Sequence, residues 1–177
     1  RQMNNSSKKQ IEKDLVLIGG GHSHLSVLKS FSMDKIDGLR ITLISDVYET
    51  PYSGMLPGFI ENDYSLEDIQ IDLYKICFHG NFRFINCKVN KIDGNKNLIY
   101  FKNRPPLSFD YLSINIGINN DTKKIKNAEK FGLRLKPISK INYNEITNNL
   151  KGKKLGIIGS GPAGLAAAQQ LNSVGHN

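Results

Sequence analysis

The sequence predicts an α/β fold built on a parallel sheet, and two segments carry that expectation. The apolar run Asp14-Leu15-Val16-Leu17-Ile18 leads into Gly19-Gly20-Gly21, and Lys154-Leu155-Gly156-Ile157-Ile158 leads into Gly159-Ser160-Gly161-Pro162-Ala163-Gly164. A short continuous apolar run suits a strand buried on both faces of a parallel sheet. Each glycine turn then opens a helical pattern: Val27, Leu28 and Phe31 at helical spacing in the first, an alanine-rich stretch over 165–171 in the second.

Residues 1–13 are polar and rich in Asn, Ser and Lys, the composition of a frayed or disordered terminus. The strand at 14–18 and a helix over 22–33 follow. Gly38 then breaks the chain before the β-branched run 39–44, completing a βαβ unit. Residues 46–66 hold Pro51, Gly54, Pro57 and Gly58, too many breakers for regular structure, in a connection long enough to imply a task. Asp72 is placed to cap a short helix ending near Phe78 or His79, with Gly80 as its stop. Strands are predicted at 82–86, 88–93 and 98–102, punctuated by Asp93-Gly94 and by 103–106: one rejoins the sheet and the others form an antiparallel excursion. A further strand over 109–116 ends at Gly117. The polar stretch 119–150 reads as a connector with helical pieces near 128–131 and 143–150, and 151–177 begins a second unit. Residues 14–118 then form one domain, and 151–177 the truncated start of another.

With 177 residues and 39% apolar content, the chain has enough material for a core. It contains no run of about 18 apolar residues, and its polar start lacks a hydrophobic signal core, so a cytoplasmic location is expected. Cys77 and Cys87 are too few for a disulfide scaffold, lie outside CxxC spacing, and are expected to be buried thiols. The formal charge of +8 arises from lysines scattered among Asn and Asp in loops. That pattern fits a solvated surface, with no nucleic acid as partner and at most weak peripheral contact with acidic membrane lipids.

The strongest motif is Gly159, Gly161 and Gly164, a full GxGxxG between strand and helix, with Ser160, Pro162 and Ala163 filling the loop. The first glycine permits the tight turn, the second lets backbone N–H groups approach a pyrophosphate, and the third allows close helix packing. The helix N-terminus adds partial positive charge. The first loop, Gly19-Gly20-Gly21-His22-Ser23-His24, has the first two glycines but carries His24 in the third place. A side chain there should push the helix off the strand unless the loop is reshaped or the ring points out. His22 and His24 lie two apart and cannot share a helical face, so they form no metal pair; local packing or phosphate contact is expected of them rather than acid/base work. Where a dinucleotide site usually ends its second strand in an acid for the ribose hydroxyls, the sequence has Ser45 followed by Asp46, and either can serve. Two such loops about 140 residues apart suggest two dinucleotides held for hydride transfer from NAD(P)H to a flavin, with the cofactors performing the chemistry.

With both loops in this order, the chain resembles the pyridine nucleotide-disulfide oxidoreductase superfamily over residues 14–177. The resemblance implies a Rossmann-like FAD-binding domain, with a parallel sheet and inserted antiparallel strands, followed by the start of a Rossmann-like NAD(P)-binding domain. It makes 111–117, with Asn115, Ile116 and Gly117, the closing segment that packs on FAD, and Val89 the position whose backbone meets adenine. The loop Gly19 to His24, together with Thr50-Pro51-Tyr52-Ser53-Gly54-Met55-Leu56-Pro57-Gly58, is similar to the type II NADH dehydrogenase-like flavoproteins. Within these it is most like the subgroup associated with selenide, water dikinase. That similarity implies that residues 51–56 lie near the isoalloxazine ring. A CxxxxC pair is missing, which disfavours a disulfide-reductase mechanism, and Ala166 stands where type II dehydrogenases often have Glu.

The expected function is therefore an FAD-dependent NAD(P)H oxidoreductase passing electrons to a quinone or another small acceptor, with no acid or base evident in the sequence. A flavin monooxygenase or sulfide-type oxidoreductase on the same scaffold remains open. So does a nucleotide-binding regulatory partner in selenium metabolism, which is how this segment alone would behave.

Overall fold

The structure, a computed structural model, describes residues 10–61, 63–117 and 126–127. The glycine unit at 154–171 and the helical pieces expected in 119–150 lie outside these residues. The described elements are, in chain order, β1 (Lys13–Ile18), α1 (His22–Met33), β2 (Leu39–Ser45), β3 (Glu49–Pro51), a 3-10 turn (Ser53–Met55), α2 (Leu56–Glu61), α3 (Leu66–Ile69), β4 (Gln70–Asp72), α4 (Leu73–Gly80), β5 (Arg83–Asn86), β6 (Val89–Asp93), β7 (Leu98–Phe101), β8 (Leu107–Ser108) and β9 (Tyr111–Ile114). By its contacts the chain divides into two units: the first includes residues 10–49 and 72–117, the second 50–71.

The first unit is a Rossmann-like α/β fold. Its sheet has the order β5-β2-β1-β9, with every described pairing parallel, so the four strands end at one edge. Alternation along the strands sends side chains to two different layers. Leu17, Ile41 and Leu43 bury with Leu28 of α1 and with Leu73 and Cys77 of α4. On the other face Val16, Ile18, Ile44 and Ile85 bury against Ile99 and Phe101 of β7. The run at 15–18 is continuously apolar, and that at 41–44 is broken only by the buried Thr42, because both faces are covered, by helices on one side and by the antiparallel sheet β6-β7-β8 on the other. At the amino ends of the strands, the Asp110 carboxylate accepts from Lys13 Nζ at 2.9 Å and from the Asp14 N–H at 2.8 Å. The Lys13 hydrogen bond holds Asp110 below the usual carboxylate range. Asp14 in turn takes both Nε and Nη2 of Arg40.

Several boundaries differ from the sequence reading. The first strand begins at Lys13, because the N–H groups of Glu12 and Lys13 both reach the Gly38 carbonyl. The final strand is shorter than 109–116, spanning Tyr111–Ile114. Gly80 is the last helical residue of α4 rather than its stop. Asn81 takes the left-handed conformation (φ 57°, ψ 40°), with Asn81 N–H to Phe78 O and Phe82 N–H to Cys77 O closing a Schellman motif. Gly80 is needed for another reason: a Cβ there would lie 2.2 Å from the Phe82 ring.

The expectation of no regular structure over 46–66 is also corrected. In the second unit β3 pairs with β4, and Tyr52 N–H donates to Ile69 O at 2.7 Å. Leu56 opens α2, with Pro57 in its first turn, where a missing N–H costs nothing. Ser65 and Asp68 form a capping box on α3. Breakers thus punctuate short elements rather than abolish them. Among the described residues no helix is long and apolar enough to cross a membrane.

Asp72 does cap α4, its carboxylate accepting from Lys75 N–H at 2.8 Å. We expect Asp72→Ala to lower stability by about 1 kcal/mol and Asp72→Asn to lower it by much less. Urea unfolding followed by circular dichroism checks this, and an alanine variant with an unchanged midpoint contradicts the cap.

Candidate dinucleotide site

All strands of the parallel sheet run the same way, so the bend after β1 and the ends of β2, β5 and β9 share its carboxyl edge, where open α/β sheets take their ligands. The bend is held from both sides. Gly19 N–H donates to Ile44 O at 2.8 Å, Asn115 N–H to Ile18 O at 2.8 Å, and Gly21 N–H to Asn115 O at 3.3 Å. Gly19 has φ +93°, and a Cβ on it would lie 2.3 Å from the Asn115 carbonyl oxygen. A Cβ on Gly21 would lie 2.4 Å from the Asn115 side chain, and one on Gly20 2.5 Å from Leu73. Gly19 is therefore required by the backbone at the end of β9 before any ligand is considered, whereas a Cβ at Gly20 or Gly21 would have to displace the Leu73 or Asn115 side chain.

Gly21 caps α1 in an extended conformation; no side chain caps the helix and its first turn holds no acid. The partial positive charge of this twelve-residue helix is left uncompensated by any carboxylate there, which suits a bound anion. His22 and Ser23 are exposed on that first turn.

His24 does not point out. Its ring is 1% exposed, with Nδ1 donating to Gly19 O at 2.7 Å and Nε2 2.9 Å from Ser113 Oγ. The third-glycine position thus admits a side chain because Ser113, small and polar, faces it from β9. Ser45 is buried, its hydroxyl accepting from Val47 N–H at 3.3 Å, while Asp46 beside it is exposed. Ser45 O receives Cys87 N–H and the Asn86 side-chain amide, which ties the approach to Val89 to the end of β2. Val89 is half-buried and packs on the cluster around Ile44 and Ile99. Ile116 is exposed and Gly117 has φ +78°. Gly19 to His24, Ser45, Asp46 and Asn115 to Gly117 therefore all lie along the carboxyl edge.

Residues 51–56 belong to the second unit. Pro51 ends β3, Tyr52 precedes the 3-10 turn of Ser53, Gly54 and Met55, and the Tyr52 ring lies so close to Gly54 that a Cβ there would be 3.0 Å away. Gly159, Ser160, Gly161, Pro162, Ala163 and Gly164 lie outside the described residues. Sequence reasoning missed Ser113 and Leu73. The signal for Ser113 was present: Ser113 and Asn115 are polar residues two apart in an apolar run, and so share a face.

The site holds amides and a helix terminus but no evident nucleophile. Cys77 is buried and its thiol is pushed up to about 11 by that burial; Cys87, expected to be buried, is only half-buried. Among the described residues no group of three or more His, Cys, Asp or Glu is placed to hold a metal ion.

Two outcomes are expected. Gly19→Ala, forced into positive φ against the Asn115 carbonyl, should lose about 1–3 kcal/mol in thermal unfolding, and a wild-type melting point would refute the strain. At neutral pH iodoacetamide should label Cys87 well before Cys77, read by peptide mass spectrometry; equal labelling would contradict the buried thiol.

Comparison with known proteins agrees with this fold. No family model matches the chain. It is 25% identical over 166 residues to the NADH dehydrogenase-like protein YutJ of Bacillus subtilis, covering 90% of this chain and 45% of that protein. It is 32% identical over 108 residues to the sulfide-quinone reductase of Aquifex aeolicus, covering 59% of this chain and 24% of that protein. The chain thus spans less than half the length of either relative. Among solved structures, the water-forming NADH oxidase of Lactobacillus brevis bound to NADH superposes with a TM-score of 0.71 at 16% identity, over 93% of this chain and 38% of that one. The relatives and fold neighbours of this chain are accordingly oxidoreductases of the pyridine nucleotide-disulfide type.

Proposed function

We propose that this chain belongs to an FAD-dependent NAD(P)H oxidoreductase, whose β1–α1 bend holds the FAD pyrophosphate. The observation that carries the reading is that bend: glycines pressed against Asn115 and an uncapped helix with no acid in its first turn, at the carboxyl edge of a parallel sheet. The likeness to an NADH dehydrogenase-like protein supports the nicotinamide donor, and the likeness to a sulfide-quinone reductase supports a quinone or other small acceptor. In this reading Gly19 to Ser23 surround the diphosphate with the buried His24 behind them, and Ser45 or Asp46 serves the ribose, with Asp46 favoured by its exposure. The backbone at Val89 meets adenine, Asn115 to Gly117 close over the flavin, and Pro51 to Leu56 approach its ring. Gly159 to Gly164 hold NAD(P)H. Bound FAD supplies the two-electron chemistry; the residues described here bind and orient it. Association with a selenide, water dikinase rests only on the loop resemblance at 19–24 and 50–58.

The test uses the full-length protein. It should purify yellow, and stopped-flow mixing with NADH or NADPH should bleach the flavin band, with reoxidation by a soluble quinone. Bleaching by sulfide instead would move the reading to the sulfide-type alternative, and a flavin reduced by none of these would sink the enzyme reading.

A further inference from the structure

The buried ring at position 24 occupies a place where close helix packing calls for glycine, and its contacts show what it does there. A carbonyl oxygen only accepts, so the bond to Gly19 O at 2.7 Å places the proton on Nδ1. In the neutral ring Nε2 is then an acceptor, and it takes the hydroxyl proton of Ser113 across 2.9 Å. The Gly19 carbonyl thus selects the tautomer, and the Ser113 hydroxyl, able to donate or accept, satisfies the other nitrogen and holds the ring in the orientation that grips the bend. A planar trans peptide points its C=O and N–H in opposite directions. Turning the Gly19 carbonyl inward to His24 therefore turns the Gly20 N–H outward, where it meets no acceptor among the described residues. The other side of the bend is held by Asn115 O on Gly21 N–H, from the same segment that carries Ser113.

We infer that His24 is a positioning residue that never touches the ligand: oriented by Ser113, it sets the Gly19–Gly20 peptide so that the Gly20 amide faces a dinucleotide phosphate. A glycine at position 24 would leave the Gly19 carbonyl without its donor, which accounts for the departure from the usual motif. The inference rests on the reading of the β1–α1 bend as a diphosphate site.

The test is made on the full-length protein, with FAD affinity from titration of the deflavinated form, the 31P resonances of bound FAD and the amide resonance of Gly20. His24→Leu should weaken FAD about ten-fold or more and shift the pyrophosphate resonances, while the cofactor-free melting point stays within a few degrees. His24→Asn, whose amide nitrogen lies near the former Nδ1, should recover most of the affinity, whereas His24→Gly should not. Parent-like binding by His24→Leu, or an Asn variant as weak as the Leu variant, overturns the inference. Should His24→Leu fail to fold, Ser113→Ala decides: it should weaken FAD about three-fold and shift both sets of resonances, and an unchanged variant overturns the proposal. A parent protein that takes up no FAD removes the functional reading instead. The Gly20 amide then settles the loop geometry by itself, and a resonance unmoved in Ser113→Ala would refute it.

Discussion

The close approach of the bend after β1 to the end of β9 is the constraint on which this site depends. Gly19 sits at positive φ with the Asn115 carbonyl where a side chain would begin, and Gly21 lies against the Asn115 side chain. Backbones this near leave room for nothing else, so residues almost a hundred positions apart must be right together. The approach has a structural basis in the two-sided burial of β1. Val16 and Ile18 pack toward the antiparallel sheet and Leu17 toward the helices, which locks the strand between β2 and β9 and so aims its end.

Once that strand is locked, the chemistry of its carboxyl edge follows from backbone polarity rather than from reactive side chains. The described residues present amides and a helix terminus; the cysteine deepest in the unit is raised in pKa by its burial and packs as an apolar group. A scaffold of this kind suits a bound cofactor that brings its own electronics, which is why the functional reading rests on how a diphosphate is held. His24 extends the same logic one step inward, acting on the peptide plane behind the amide.

The antiparallel excursion has a comparable role. Where a helix would usually connect parallel strands, β6, β7 and β8 carry the chain from β5 to β9 and cover the second face of the sheet. Ile99, fully buried, and Phe101 supply the apolar surface that Ile18, Ile44 and Ile85 require. The connection therefore serves as a layer of the core as well as a link.

Much of this was legible in the chain of letters. The apolar run at 15–18, the β-branched run at 39–44, the helical spacing of Val27, Leu28 and Phe31, and the cap at Asp72 depend on neighbours a few residues away. Local patterns of that kind express themselves through backbone sterics and periodic burial alone. Gly19 and Gly21 were likewise readable, because a strand-to-helix turn demands them. What only the tertiary structure decided was how distant segments meet. The inward turn of His24 depends on a small hydroxyl at Ser113, 89 residues away. The breaker-rich stretch at 46–66 ordered into short elements because β3 found β4 as its partner. Each of these outcomes turns on whether a cavity, a hydrogen-bond partner or a free strand edge is supplied from elsewhere in the fold, and no window of sequence contains that information.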